Sequence, residues 1–383
     1  MAFSVMMFPP CVVLALFYQE AALGKPQIGI GATTKIIVSA EFFTIQASRF
    51  LQRRQRRIEK RANPLHLVFG VSLISSHARV LNASGSPPAL NQLAQMMVTN
   101  NTDSVKANSY IQLMPHTTAV NVSVFFGICG RLIPTSSACT SGSLAIGGAF
   151  EAIRYGKQTV MIAGGSEEIS PSQAAVFDTL FATSTRNDTP TETPSLFDVD
   201  RDGMVIGEGA ATMVLEEMEH ARARGAHIHA ELVGFGTNSD GQHVTQPTAR
   251  TMAVAMQLAL DDAELAPEAI GYVNAHGTAT DIGDVAESQA TQETLGSSVP
   301  ISSLKSYFGH TLGACGSIEA WMTIEMMNRD WFAPTINLNR IDPECAELDY
   351  VVDDGRNKQI EYVMTNNFAF GGLNTSLIFR RLS

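Results

Sequence analysis

Cysteine is scarce in this 383-residue chain, and none of it is paired in sequence. The five cysteines, Cys11, Cys129, Cys139, Cys315 and Cys345, form no CxxC element and no metal-ligand spacing. An odd, scattered set argues against a disulfide framework and fits a reducing compartment, so a cytoplasmic location is expected. Charge is sparse too, at 16% of residues, and the net charge of −11 lacks the basic excess of a nucleic-acid partner. No nucleotide-binding or metal motif is present, and no stretch repeats another literally. Residues 1–20 carry no charge before Glu20. They have no basic leader, Pro9-Pro10 interrupts them, and the run is short for a membrane span, so neither targeting nor a membrane partner is expected.

What remains is a soluble, globular composition. Hydrophobic residues make up 45% of a chain long enough for two domains or one large duplicated one. Residues 49–61 gather Arg49, Arg53, Arg54, Arg56, Arg57, Lys60 and Arg61, which reads as a solvated helix face, or as a dock for an acidic partner. From 63 to about 84 no periodicity emerges. Regular signals begin near 85: helices over Pro88 to Val98 and Tyr110 to about Asn121, then strands at Thr159 to Ala163 and Gly209 to Glu216. Residues 178–203 are polar and read as a surface excursion, with Phe197 to Gly203 as a part that folds back. After a boundary at Gly225, strands at His229, Tyr272, Pro300, Tyr350, Val363 and Thr375 alternate with helices over Thr251 to Asp262, Asp284 to Leu295 and Gly313 to Asn328. Strand and helix in alternation predict an α/β sheet covered on both faces. Both halves run strand–helix–strand, which suggests a duplicated core.

Four stretches carry chemistry. In the first, the apolar run Val122 to Phe126 and Arg131-Leu132-Ile133 lead into Pro134 to Ser143, which reads as strand, tight turn and helix. Cys139 then sits at a helix N-terminus, where unpaired N–H groups and partial positive charge favour a thiolate. The bland alternative is a buried, inert cysteine. In the second, Asn274-Ala275-His276-Gly277 puts a histidine just past a buried strand, where α/β sheets collect ligands. In the third, Ser303 to His310 repeats the arrangement with Lys305 and His310 before an apolar helix. Glu319, on that otherwise apolar helix, needs a counter-charge, which makes it the expected partner of Lys305, with Glu287 as runner-up or an ordinary helix-face charge. In the fourth, Asn366-Asn367-Phe368-Ala369-Phe370-Gly371-Gly372 ends in a turn able to aim N–H groups at an oxyanion. His220, His227, His229 and His243 read as solvated or structural, Cys315 as packing, and Trp321 to Met327 as core.

In order and context these stretches, with Phe197 to Gly209, resemble the β-ketoacyl-acyl carrier protein synthase family of the elongating Cys-His-His type. The resemblance covers roughly residues 85–383, and two of the stretches are similar to its aryl-polyene-type branch. It implies a thiolase-like, duplicated α-β-α-β-α layered fold, with 85–225 as the half carrying the nucleophile and 226–383 as the half carrying the histidines. Residues 1–84 match poorly, with Gly29-Ile30-Gly31 a weak candidate for the family's first turn, so the first unit is divergent or incomplete. Missing strands there would expose sheet edges.

The same resemblance implies an acyltransferase performing a decarboxylative condensation. Cys139 carries the acyl chain, and His276 and His310 stabilise the charge developed as a malonyl thioester loses carbon dioxide. Lys305 and Glu319 order the site. The backbone N–H groups of Cys139 and Phe370 form an oxyanion hole. Thr278 and Thr280 hold the pantetheine arm, and Phe368 and Phe370 line the acyl site, with Phe370 gating it. Acyl carrier protein brings the substrates on its phosphopantetheine, no cofactor or metal is needed, and the enzyme pairs with itself or a related subunit. The rival readings are a non-catalytic chain-length factor, which usually lacks the nucleophile, a thiolase or priming synthase of the same fold, and a defective synthase with a damaged N-terminus.

Overall fold

The computed structural model describes residues 36–39, 66–71, 87–112 and 114–382. The run 1–20, the basic residues of 49–61 and Gly29-Ile30-Gly31 lie outside the described residues. The first half runs β1 (Ile36–Ser39), β2 (His66–Val71), α1 (Pro87–Thr99), α2 (Ala107–Ile111), α3 (Thr117–Phe126), β3 (Leu132–Thr135), α4 (Ser141–Arg154), β4 (Val160–Glu167), α5 (Pro171–Thr179), β5 (Gly209–Glu217) and α6 (Met218–Ala223). The second runs β6 (Ala230–Ser239), α7 (Ala249–Ala263), β7 (Ile270–Asn274), α8 (Asp281–Leu295), β8 (Pro300–Ser302), α9 (Lys305–Phe308), α10 (Cys315–Asn328), β9 (Trp331–Phe332), β10 (Asp349–Tyr350), β11 (Arg356–Asn357), β12 (Tyr362–Ala369) and β13 (Leu373–Arg380).

Strand order makes the duplication explicit. The described strands of the first half lie in the order β3-β2-β4-β5-β1, and those of the second in the order β8-β7-β12-β13-β6, with β10 added beyond β8. Direction matches as well: in each half the first three are parallel and the last two antiparallel to their neighbours. β1 and β6 then pair antiparallel and join the halves into one sheet. The sheet folds back on itself there, because α4 and α10 pack against strands of both halves. Between the two half-sheets lies the main core, built from Ile146, Phe150, Met161, Leu215, Leu232, Tyr272, Ile324 and Phe379. Helices α7 and α8 cover the outer face of the second half, and α3 covers that of the first. This is the thiolase-like α-β-α-β-α arrangement that the resemblance implies.

Three expectations about the first half change. The stretch 63–84, where no periodic signal emerged, contains β2, which lies between β3 and β4 and is parallel to both. A six-residue run, His-Leu-Val-Phe-Gly-Val, is too short for its period to register. With β1 and β2 in place, the feared exposed edges inside the half-sheet are filled. The predicted helix from Tyr110 to Asn121 is two helices, α2 and α3. Pro115 lies between them; it lacks an N–H and disfavours helix in the residue before it. The apolar run Val122 to Phe126, read as leading in extended, is the end of α3, which closes on Gly127 in a left-handed conformation.

The helices at the centre show the duplication residue by residue. Ala138 and Leu312 both have positive φ, 51° and 43°, and each opens a single 3-10 turn that runs into α4 or α10. The helix starts cross at glycines. A Cβ on Gly142 would lie 2.8 Å from the backbone nitrogen of Ser317, and one on Gly316 would lie 2.7 Å from that of Ser143. Because backbone closes both contacts, neither can be relieved by a rotamer change. Gly142→Ala should therefore destabilise the chain by about 1–3 kcal/mol, the usual cost of overpacking, read as a lower midpoint of chemical denaturation. An unchanged midpoint would show that the crossing is loose.

Candidate active site

The turn before α4 is built by small residues bonding to their own backbone. Ser141 Oγ accepts the N–H of Ser137 at 2.9 Å and donates to the carbonyl of Ala138 at 2.7 Å. Thr140 Oγ1 donates to the carbonyl of Ser137 at 2.8 Å. These bonds hold Ala138 in its left-handed conformation and point Cys139 inward, where it is 5% exposed. Burial pushes the Cys139 thiol up to about 11, against the pull of the Phe370 N–H, the Lys305 charge and its own N–H. The pull toward thiolate expected at the helix start is outweighed, and the sulfur rests as a thiol. Desolvation outweighs the helix, whose first residue, Ser141, lies beyond the sulfur.

Two histidines converge on that sulfur. His310 Nε2 lies 3.1 Å from Cys139 Sγ, and the rings of His276 and His310 stand edge to face with centroids 5.1 Å apart. Their tautomers follow from their other contacts. The Leu312 N–H donates to His310 Nδ1 at 3.1 Å, so Nε2 carries the proton of the neutral ring. Lys305 Nζ lies 3.1 Å from His276 Nδ1, and an ammonium can only donate, so this ring also carries its proton on Nε2. Burial lowers the basicity of His276 well below the usual range, followed by the charge of Lys305 and then His310; burial and Lys305 do the same to His310. Both are neutral imidazoles offering an N–H.

Lys305 is 1% exposed and fully partnered. Its ammonium donates to Glu319 Oε1 at 2.5 Å and to the His276 carbonyl at 2.5 Å, besides His276 Nδ1. Burial works against its charge and is outweighed by Glu319, so it stays protonated beyond the ordinary lysine range. The other Glu319 oxygen accepts from Asn367 Nδ2 at 2.7 Å. The expected Lys305–Glu319 pair is present.

Glu287 is not a helix-face charge. It is 1% exposed and accepts the N–H groups of His276 at 2.6 Å and Gly277 at 2.7 Å. Burial raises its carboxyl to about 8, against these two N–H bonds. One turn earlier on α8, Asp284 accepts from the N–H groups of Thr278, Ala279 and Phe197. Sequence reading missed Asp284, although Asp284 and Glu287 stand three apart on one helix face, the spacing that brings two acids to one strand end. The segment Phe197 to Gly203 does fold back. Arg201 bonds Asp342 at 2.5 Å and the carbonyls of Asp198, Thr280 and Asp281. Residues 205–207 then clamp His310, whose N–H reaches the Val205 carbonyl at 2.7 Å and whose carbonyl accepts from Gly207 at 2.9 Å.

The proposed substrate residues ring this group. Phe368 is buried with its ring 6.2 Å from that of His276, whereas Phe370 is 42% exposed and meets Phe177 edge to face. Thr278 and Thr280 bond to each other at 2.9 Å and are half-buried. Leu196, Met204, Gly277, Thr278, Lys305 and His310 surround a gap too small to hold a water, which puts Thr278 beside His310. Cys315, expected as packing, is buried there too, with Sγ 3.2 Å from the Cys139 carbonyl. Cys139, His276 and His310 have the spacing of metal ligands, as do His276, Cys315 and Glu319. In the first group, however, both imidazoles turn a protonated nitrogen inward, which makes the face a donor set and a poor ligand set.

Since the thiol loses its proton only near pH 11, alkylation of Cys139 by iodoacetamide should keep accelerating as pH rises past 9. A free cysteine levels off once pH passes about 8.5. A plateau there, read by mass spectrometry of the alkylated peptide, would contradict the buried-thiol assignment.

Comparison with known proteins agrees with this geometry. The beta-ketoacyl synthase N-terminal domain matches residues 60–221, and the beta-ketoacyl synthase C-terminal domain matches residues 229–339. The chain is 47% identical to 3-oxoacyl-[acyl-carrier-protein] synthase 2 of Vibrio cholerae over 69% of this chain and 66% of that protein. It is 39% identical to 3-oxoacyl-[acyl-carrier-protein] synthase 1 of Haemophilus influenzae over 78% of this chain and 74% of that one. The match thus spans about two thirds to three quarters of these relatives' length. A crystal structure of a beta-ketoacyl synthase from Burkholderia phymatum superposes with a TM-score of 0.79 and 62% identity, covering 83% of this chain and 76% of that one. Two further solved neighbours contain partners. One is the AntDE ketosynthase with the acyl carrier protein AntF (TM-score 0.75, 31% identity, 82% of this chain and 78% of that one). The other is the ketosynthase ApeO with its chain length factor ApeC from Xenorhabdus doucetiae (TM-score 0.70, 28% identity, 83% of this chain and 74% of that one). The paired domains, the duplicated sheet and the buried Cys-His-His group lead to one conclusion: the chain belongs to the β-ketoacyl synthase family.

Proposed function

We propose that this protein is a β-ketoacyl-acyl carrier protein synthase that extends an acyl chain held on Cys139. One observation carries the reading: His310 turns its Nε2–H to the buried Cys139 sulfur, and a second neutral imidazole, His276, with its proton also on Nε2, stands edge to face with it in the same tight group. In the first half-reaction, the Cys139 sulfur attacks an acyl thioester carried by acyl carrier protein. One thioester replaces another, and the Cys139 proton ends on the departing carrier thiol. Neither histidine can take that proton, because each Nδ1 already faces a donor. The tetrahedral oxyanion is held by the N–H groups of Cys139 and Phe370, both of which reach the sulfur's surroundings. In the second half-reaction, a malonyl thioester loses carbon dioxide. Negative charge moves onto its thioester oxygen, where the Nε2–H groups of His276 and His310 stabilise it. The resulting carbanion attacks the acyl carbon on Cys139 and expels the sulfur, which takes up a proton from water. A site that disfavours thiolate makes that last step favourable.

Burial, with the charge of Lys305, keeps both imidazoles from protonating; Lys305 fixes His276, Glu319 holds Lys305, and Asn367 holds Glu319. Thr278 and Thr280 are suited to the pantetheine arm, and Phe370, on a turn beside the sulfur, to gating the acyl chain, with Phe368 as its buried neighbour. No cofactor or metal is needed beyond the carrier's own phosphopantetheine. The acyl carrier protein and a related subunit are proposed as partners by analogy with the solved neighbours. Support for pairing comes from β3, whose outer edge has no strand partner among the described residues, and from Val124 and Phe125 on adjacent α3, which are 74% and 60% exposed. The division into halves at 225 follows the duplicated strand order. The aryl-polyene branch rests on residues 303–310 and 366–372 alone. A cytoplasmic location is supported by the free state of Cys129, Cys139, Cys315 and Cys345. Among the described residues no helix is long and apolar enough to cross a membrane. The chain-length-factor reading is disfavoured by the assembled nucleophile, and the defective reading by the filled half-sheet.

Mass spectrometry of the protein incubated with a panel of acyl carrier protein thioesters should show an acyl adduct on Cys139, absent in Cys139→Ala. His310→Ala should slow malonyl decarboxylation by about 100-fold to 1,000-fold, the effect of losing one oxyanion donor. The pH profile adds a check. An ordinary histidine is protonated as pH falls through about 6.5, whereas lowered basicity moves that loss of activity to more acidic pH. Wild-type decarboxylation should therefore persist at pH 6, and an acid limb centred at 6.5 or an absence of any Cys139 adduct would overturn the proposal.

A further inference from the structure

One buried carboxyl group enters the chemistry above only as a minor charge that raises the Cys139 thiol. Glu167 ends β4 and is 5% exposed. Among the described residues it has no cation partner: its oxygens accept from Gln173 Nε2 at 2.9 Å and from the backbone N–H of Gly313 at 2.9 Å. Burial pushes its carboxyl well above the usual range, against both of those bonds. A buried carboxyl without a counter-charge is costly; besides the N–H of its neighbour Glu168, it holds two N–H groups from other segments, those of Gln173 and Gly313. Gln173 is itself fixed: it is 1% exposed, and its Oε1 accepts the Ser170 N–H at 2.5 Å in the cap of α5.

The other end of the contact lies beside the nucleophile. Gly313 follows Leu312, a non-glycine residue at φ 43°, a conformation that persists only where its surroundings over-determine it. The N–H of Leu312 is the donor to His310 Nδ1. The two peptide planes that flank Leu312 are therefore bonded at fixed points, one to His310 and one to Glu167. Were the Gly313 peptide free to turn, Leu312 could relax and release Nδ1, and the His310 proton could then move between the ring nitrogens.

We infer that Glu167 is a positioning residue for His310: through Gly313 it holds the left-handed Leu312 turn whose N–H keeps the imidazole proton on Nε2, the atom facing Cys139. The inference rests on reading His310 as an N–H donor in decarboxylation. It also links α5 to the nucleophile. Gln173 and Phe177 lie on that one helix, and Phe177 meets Phe370, so the helix touches both the acyl gate and the support of His310.

The test is Glu167→Gln in the full chain, since an amide presents its NH2 to one of two N–H donors that a carboxylate accepts together. Three readouts are taken: malonyl thioester decarboxylation, acyl transfer onto Cys139, and the ¹⁵N shifts of the His310 ring. Decarboxylation should fall at least about tenfold, in line with a weakened oxyanion donor, and acyl transfer should change less than about threefold, since His310 has no role in it. The ring should shift from a single Nε2–H tautomer to a mixture. Gln173→Met, which removes only the amide support, should move the same readouts in the same direction by a smaller amount, and it carries the test if Glu167→Gln fails to fold. An unaltered tautomer and decarboxylation within twofold of wild type would overturn the inference. So would parallel losses in both half-reactions that track a fall in thermal stability. If the wild type neither acylates nor decarboxylates while the tautomer still shifts in the variants, the proposed function falls and the positioning role stands.

Discussion

A buried ammonium with every proton committed is the constraint on which this site depends. Lys305 donates to a carboxylate, to an imidazole nitrogen and to the carbonyl of that same histidine. Breaking any of these would leave a polar group stranded where no water can replace it, at a cost of roughly 1–3 kcal/mol for a neutral group and more for an ion. The geometry is therefore stiff. It fixes the ring plane and tautomer of His276, and its charge adds to burial in holding both histidines neutral. Glu287 completes the arrangement from below by gripping the backbone of His276 and Gly277. A set of donors aimed in advance at one small cavity stabilises developing charge without reorganising at the moment of reaction.

The fold supplies that cavity by doubling one unit. Each half delivers a strand, a left-handed residue, a single 3-10 turn and a central helix, and the two helices meet at Gly142 and Gly316. The equivalent turns have diverged in content. One carries the sulfur, and the other follows the histidine that faces it. Approximate symmetry thus places nucleophile and donor at corresponding ends of crossed helices, and the close approach of two glycines sets the distance between them.

Burial shapes the chemistry as much as position does. The same desolvation that keeps two imidazoles neutral also keeps the sulfur protonated at rest. A resting thiol is stable against stray electrophiles, and charge is generated only when a bound thioester can accept it. The donors that disfavour protonated histidine and those that hold an oxyanion are parts of one electrostatic design.

Much of this was legible in the residues themselves. Cys139, His276, Lys305 and His310 stand out because each follows a short apolar strand and precedes a helix or turn, and local pattern reports such placement well. Glu319 could be assigned to Lys305 because a carboxylate on an apolar helix needs a cation. The strands β1 and β2 escaped notice because a few residues contain too little periodicity, and pairing with strands distant in sequence is what makes them strands. Glu287 and Glu167 were passed over or misjudged for a related reason: helix-face spacing or a strand end does not say whether a carboxyl meets water or two backbone N–H groups. The protonation of Cys139 cannot be read from the sequence because helix position is local, whereas desolvation sums over everything packed around the sulfur. The amino-acid order by itself determined which groups are available and roughly where along strands and helices they fall. Only the tertiary structure decided which of them meet, which nitrogen of each histidine holds its proton, and which charges survive, because those outcomes depend on contacts and on exclusion of water between segments far apart in the chain.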